Sequence, residues 1–375
     1  MLRTILTTFL LPTYLLLHAA DNAPPPVLRI ARSSSPLMRT IPVGHGPQYV
    51  VVDALVGHAF VLNNDDDTVS VLDARSGAVI RTVPVGQNAH EIAVDAQTAH
   101  VFVINNRLTK VTILDAHTGT VVKKVTVQKG PVAMAFDDRT SHAFVVNGLA
   151  NSVSMLDTRT GMVLHTTRVD AGPNTIAVDS QARHAFTINT KTVSMLDTRT
   201  GALLHTLSVG SQPQDIVVDA RLGRAIVLDL SETRLLDTRT GRIVSSVPID
   251  GPTAVTLDPQ TDRAFVLVGA SDNGPDHASM VDLRTGRVLR TAPVGALALA
   301  AAVDSRTERV VVVNNGGLSD SPGSVTVIDA RTGAALRTFD VGHAPSAVAI
   351  DDVTSRAFVV NTDSNSVSII NTAGL

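Results

Sequence analysis

Three histidines and a glutamate occupy related places in this chain. His45 lies in Val43-Gly44-His45-Gly46-Pro47, His343 lies in Val341-Gly342-His343-Ala344-Pro345, and His90-Glu91 ends the corresponding segment that begins at Val85-Gly86. The pattern Val-Gly-x-x-Pro-x-x recurs along the chain. Its last two positions read Gln48-Tyr49, His90-Glu91, Val132-Ala133, Asn174-Thr175, Gln214-Asp215, Thr253-Ala254, Leu299-Ala300 and Ser346-Ala347. Imidazole nitrogens with a carboxylate are a donor set for a divalent ion such as Zn, so His45, His90, Glu91 and His343 form a candidate metal set. Gln48, His90, Glu91, Asn174, Gln214 and Asp215, with Tyr49 as an apolar wall, form a candidate site for a polar ligand. A purely structural slot would be filled alike in every copy. This one is polar in the first, second, fourth and fifth copies and mostly small or apolar in the others.

Residues 45, 90 and 343 meet only if the fold joins the two ends of the chain, and a second repeated segment supplies the means. Asp157-Thr-Arg-Thr-Gly161 has relatives beginning at Asp73, Asp115, Asp197, Asp237, Asp282 and Asp329, and a truncated one at Asn371. The intervals are 42, 42, 40, 40, 45, 47 and 42 residues. A pulse of this length is the mark of a repeat architecture. One unit carries apolar runs at Val132 to Phe136, Ala143 to Val146, Val153 to Leu156 and Met162 to Val169, separated by turn residues. Four short strands every forty-odd residues predict an all-β fold, a β-propeller of four-stranded blades. The continuous apolar runs fit strands buried on both faces.

Innermost strands are expected to end at Asp53, Asp95, Asp137, Asp179, Asp219, Asp258, Asp304 and Asp351, which gives eight blades. The eighth lacks an outer strand, because the chain stops at Leu375. Leu37-Met-Arg-Thr-Ile-Pro-Val43 aligns with Leu336-Arg-Thr-Phe-Asp-Val341, so the N-terminal strand is expected to complete the last blade. Seven blades is the alternative, with the unit from Ile249 to Gly286 as the irregular one.

His58, His100, His142 and His184 share one slot before the second strand, filled by Arg224, Arg263, Arg309 and Arg356 elsewhere, and are read as structural. The outer strands carry Arg81, Lys123, His165, His205, Ser245, Arg290 and Arg337 at one position, where polar groups discourage edge pairing. Asn64-Asp65-Asp66-Asp67 lacks the spaced ligands of a calcium loop and reads as a solvated tip. Two long loops, Gly269 to Ala278 and Asn315 to Gly323, form a candidate docking lip.

Residues 1–20 have the order of a secretory signal: Arg3, an apolar run from Ile5 to Leu17 too short to span a bilayer, then small residues. Residues 21–36, rich in Pro and Ser, read as a linker, and residues 37–375 as a single propeller domain. Export to the periplasm or the extracellular space follows, with no membrane span once the signal is removed. A formal net charge of −3 offers no general attraction to nucleic acid. The chain has no Cys and no Trp, so it carries neither a c-type haem motif nor the Trp on which propeller dehydrogenases stack a quinone. Neither a serine-hydrolase elbow, a Walker loop nor a Rossmann fingerprint is present.

Phe144-Val-Val-Asn147, Phe186-Thr-Ile-Asn189 and Phe358-Val-Val-Asn361, each followed by Val-Ser and then the Asp-Thr-Gly type of turn, give the chain its family likeness. It resembles the YVTN-repeat β-propeller family, which includes surface-layer propellers and exported YncE-like proteins. The resemblance covers residues 37 to 374 and implies a scaffold, usually of seven blades. The expected function is that of a monomeric, exported, non-enzymatic propeller binding a protein, a cell-envelope component or a small ligand on its loop-bearing channel face. No cofactor is expected unless a divalent metal occupies the histidine set. The alternatives are a metal-dependent, lactonase-like hydrolase and a nucleic-acid-binding propeller, the latter opposed by the scarcity of aromatic residues.

Overall fold

The computed structural model describes residues 37–230, 232–269, 276–316 and 322–375. The expected signal and linker therefore lie outside the described residues, as do parts of both long loops. Among the described residues the chain forms eight separate four-stranded antiparallel sheets. In blade 3 the strands are Pro131–Asp137, His142–Asn147, Ser152–Asp157 and Val163–Arg168, hydrogen-bonded in that order. The unit suspected of irregularity is a complete blade, Pro252–Asp258, Arg263–Val268, His277–Asp282 and Val288–Pro293, so the ring has eight blades rather than seven.

Blade 8 is closed as the sequence alignment requires. Its outer strand is Met38–Pro42, paired antiparallel with Ser366–Asn371 from Met38↔Ile370 to Pro42↔Ser366. The Thr40 and Ser368 hydroxyls lie 3.2 Å apart, and the Val43 amide donates to the Asn365 carbonyl. The two ends of the chain thus share one sheet, and the strand at the seam has no bare edge.

Blades are held to one another by a repeated size complementarity. In six of the eight blades the second strand turns a bulky residue toward the following blade and an alanine toward the preceding one; blades 2 and 7 have Val101 and Val310 in the alanine position. Phe102 packs with Ala143, Phe144 with Ala185, Phe186 with Ala225, and Phe358 of blade 8 with Ala59 of blade 1. Eight clusters of buried residues result, each spanning one junction between neighbouring blades. The core of this protein is a ring of interfaces, and alternating strand geometry places one cluster on each face of every sheet.

Polar residues of the repeat reinforce the same junctions. His58, His100, His142 and His184 each place Nδ1 at 2.8–3.0 Å from a carbonyl in the Asp-x-x-x-Gly turn of the next blade, donating to Ala116, Thr158, Thr198 and Thr238 respectively. Arg263 and Arg356 do the same to Ala330 and Ala74. The outer-strand slot has a related use: Lys123 donates to the Thr160 carbonyl of blade 3 and lies over Gly161. Gly161 sits at φ +66°, and a Cβ there would come within 2.9 Å of Ile113 and 3.2 Å of Lys123. The glycine is required by both the turn and the neighbour. Within a blade, the buried Asn147 donates to Ser152 and Ser154, and Ser154 lies within hydrogen-bond reach of Thr166 on the outer strand. This wire recurs in blades 1, 4, 7 and 8.

Removal of residues 37–43 strips the ladder from Ser366–Asn371 and uncovers Ile369. We expect a stability loss on the order of 5 kcal/mol and self-association through the bare edge, measured by thermal melting and size-exclusion chromatography. Recovery on adding a peptide of residues 36–44 is the positive control. A truncated chain that melts with the intact one and stays monomeric refutes closure by this strand.

Candidate functional site

The Val-Gly-x-x-Pro loops and the loops between second and third strands share one face of the ring. The Asn64 amide donates to Gly46, Asn106 to Asn88, Gly148 to Gly130, Thr190 to Ala171 and Thr362 to Ala344. Just below this rim the innermost strands carry a bulge, between Pro47 and Tyr49 in blade 1 and at the equivalent place in every other blade except the fourth. The extra residue of a bulge is unpaired and its side chain is re-aimed. Gln48, His90 and Gln214 are those extra residues. Tyr49, Glu91, Thr175 and Asp215 follow one step deeper, where neighbouring blades meet.

The deeper layer contains two buried carboxylates. Glu91 is 7% exposed and Asp215 4%. Glu91 Oε1 accepts the Met134 amide of blade 3 at 3.4 Å, and Oε2 has no hydrogen-bond partner among the described residues. Burial pushes the Glu91 carboxyl up to about 8, with the charge of Asp215 adding to the rise. Blades 2 and 5 stand three apart in a ring of eight, so the two carboxylates act on each other across the hub. Asp215 Oδ1 accepts its neighbour's amide, Ile216, at 2.8 Å and lies 3.4 Å from the Thr175 hydroxyl.

Aromatic rings flank this pair. Tyr49 and His90 lie edge to face with centroids 6.5 Å apart. Burial and the nearby Glu91 charge raise the Tyr49 phenol far above its ordinary value, and burial lowers the His90 imidazole. Asn174 is half-buried, and its Oδ1 is a second buried acceptor with no partner among the described residues. Gln48 accepts from Asn64 Nδ2 at 3.0 Å, its carbonyl accepts from Ser346, and Gln214 bonds the Gln212 carbonyl; both glutamines are exposed.

The structure does not assemble the metal set. His45 is exposed at a loop tip, its Nδ1 3.0 Å from Asp66 Oδ1 and its amide bonded to Asp66 Oδ2. His343 is likewise exposed, its amide donating to Ser364. His90 and Glu91 lie deeper, on the strand itself. Among the described residues no group of three or more His, Asp or Glu side chains is placed to hold a metal ion. The Asn64–Asp67 tip is a folded turn that engages His45 and the Ala89 amide. Thr175 was legible in the repeat as a polar occupant of the deeper slot, but its contact with Asp215 was not.

The family model described as outer membrane protein assembly factor BamB matches residues 65–224 and 189–375. The chain belongs to this family. No curated protein matches it in sequence. Several solved structures resemble the BamB-family ring described here. A chain of hydrazine synthase from Kuenenia stuttgartiensis is similar at TM-score 0.61 and 16% identity, over 76% of this chain and 96% of that one. The computationally designed Ika8 protein is similar at TM-score 0.71 and 16% identity, over 88% and 98%. The dihydro-heme d1 dehydrogenase NirN, in complex with DHE, is similar at TM-score 0.72 and 14% identity, over 90% and 76%. At these identities the likeness is one of fold. No helix among the described residues is long and apolar enough to cross a membrane.

The buried carboxyl has a consequence for stability. Folded, Glu91 holds its proton to about pH 8, whereas an ordinary glutamate releases it near 4.5. The folded state therefore binds the extra proton between these values. Its contribution is greatest below 4.5 and is lost as pH rises through 8. The difference in stability between the intact protein and Glu91→Gln should change by several kcal/mol, on the order of the shift, from pH 5 to pH 9. Denaturant titrations at both pH values measure it, and a difference independent of pH overturns the assignment.

Proposed function

We propose that this protein is an exported, cell-envelope β-propeller that acts by binding, with its loop-bearing face as the contact surface and the hub beneath it as the selective element. The observation that carries this reading is the contrast between two classes of repeat position. Phe144, Asn147, His142, Gly161 and their equivalents recur around the ring and hold blades together. The hub slots vary from blade to blade, and at Glu91 the variation places a carboxyl in a buried site without a full set of partners. Burying such a group opposes folding, so its presence is consistent with a use outside folding.

Two further facts support the reading. The BamB family takes its description from an outer membrane protein assembly factor, which accords with a protein partner in the envelope. The signal-like order of residues 1–20 accords with export. Within the propellers, the Phe-Val-Val-Asn motifs favour the YVTN-repeat, YncE-like branch. The loop face also offers apolar anchors of the kind that dominate protein contacts: Leu108, Leu149 and Leu230 all stand exposed in loops between second and third strands, Leu149 at 82%.

Capture of partners from an envelope extract on immobilised protein tests the proposal. We expect Leu149→Asp combined with Leu108→Asp to reduce the captured partner at least about tenfold, the effect of losing a central anchor. Leu55→Asp, on the opposite face, should leave capture unchanged. Equal capture by all three proteins rules out the loop face as the binding surface.

A further inference from the structure

We infer that the hub between Tyr49, His90, Glu91, Asn174 and Asp215 is a recognition site for an N–H-bearing organic cation, an alkylammonium or a guanidinium group entering from the loop face. The inference rests on the reading of that face as the binding surface and assigns the chemistry of what reaches its centre.

Four observations converge on this class of ligand. First, Glu91 Oε2 and, in blade 4, Asn174 Oδ1 have no partner among the described residues, and Glu91 Oε2 becomes an acceptor once the carboxyl ionises. What they lack is a donor, and ammonium and guanidinium groups carry donors alone. Second, Glu91 is nine-tenths buried and the Asp215 carboxylate acts on it across the hub, so a cation entering there meets two carboxyl groups. Third, the Tyr49 and His90 rings stand edge to face with centroids 6.5 Å apart, and aromatic faces attract cations. Fourth, no three carboxylates or imidazoles are placed around a point that a bare metal ion would occupy among the described residues. A polyatomic cation needs no such shell, because its hydrogen atoms spread the contacts over several acceptors.

The groups that face Glu91 are the Met134 amide of blade 3, Asp215 across the hub, and Tyr49 and His90 beside it. Holding its proton to about pH 8, Glu91 must release it when a cation docks. Binding of a cation whose own charge is fixed should then strengthen as pH rises.

Isothermal calorimetry on the full-length protein with methylguanidinium, n-butylammonium and the uncharged n-butanol tests this. Both cations should bind, and n-butanol should not. Methylguanidinium should bind about thirtyfold more tightly at pH 9 than at pH 6.5, as expected for proton displacement from a single acid that titrates at about 8. Glu91→Gln and Asp215→Asn should each weaken binding about tenfold or more, while Ser346→Ala, at a rim slot outside the cluster, should not. Thermal melts establish that each variant is folded. A Gly-flanked peptide bearing one Arg or Lys, compared with the free cation, assigns the source: at least tenfold tighter binding marks a side chain presented by a protein, equal binding a free small amine. Cation binding that is absent, or that persists unchanged in both Glu91→Gln and Asp215→Asn, overturns the inference. If it is absent while the Leu149 variant still loses its captured partner, the cation chemistry falls and the loop face stands as the binding surface.

Discussion

A bulky residue of one blade set against a small residue of the next is the contact on which this structure depends. Phe358 on Ala59 is the same contact as Phe144 on Ala185, although one joins the two ends of the chain and the other joins consecutive repeats. A blade cannot bury both faces by itself, so the fold is stable only as a closed circle. Closure in turn demands that the last sheet borrow a strand. Met38–Pro42 supplies it, and the seam acquires the hydroxyl wire and the apolar packing of an ordinary blade.

Much of this was legible in the sequence because the repeat repeats its errors as well as its rules. Asp ends every innermost strand, and counting those residues gives eight. The likeness of residues 37–43 to 336–341 locates the closing strand. The His and Arg slot was legible as structural from its regularity, although its mechanism, donation into the neighbouring turn, needed coordinates. The unit from Ile249 to Gly286, the irregular one of the seven-bladed alternative, is a complete blade, and its extra length falls between strands.

The hub was legible as a set of positions and illegible as a set of contacts. Alignment of the repeats puts His45 and His343 three residues before the slot that holds His90, and nothing in the spacing says in which layer each lies. The coordinates decide this: His90 and Glu91 lie on the strand Ala89–Asp95 in the wall of the ring, whereas His45 and His343 precede their strands and sit on loop tips, where His45 turns to Asp66. A hydrogen bond between residues 21 apart in a loop cannot be read from composition or period, and it separates a metal site from a folded rim.

The centre of the ring is lined by groups that burial holds in their neutral forms. Burial keeps the Tyr49 phenol protonated, the His90 imidazole uncharged and the Glu91 carboxyl protonated through neutral pH. Glu91 is held by the Met134 amide and feels the Asp215 charge across the hub. A wall of neutral rings and unfilled acceptors is organised to hold a group of opposite character. The uniform ring supplies the rigidity for this, since a strained or unsatisfied residue persists only where its surroundings over-determine it. Glu91 has blades packed on both sides of its sheet, and that packing sustains its burial.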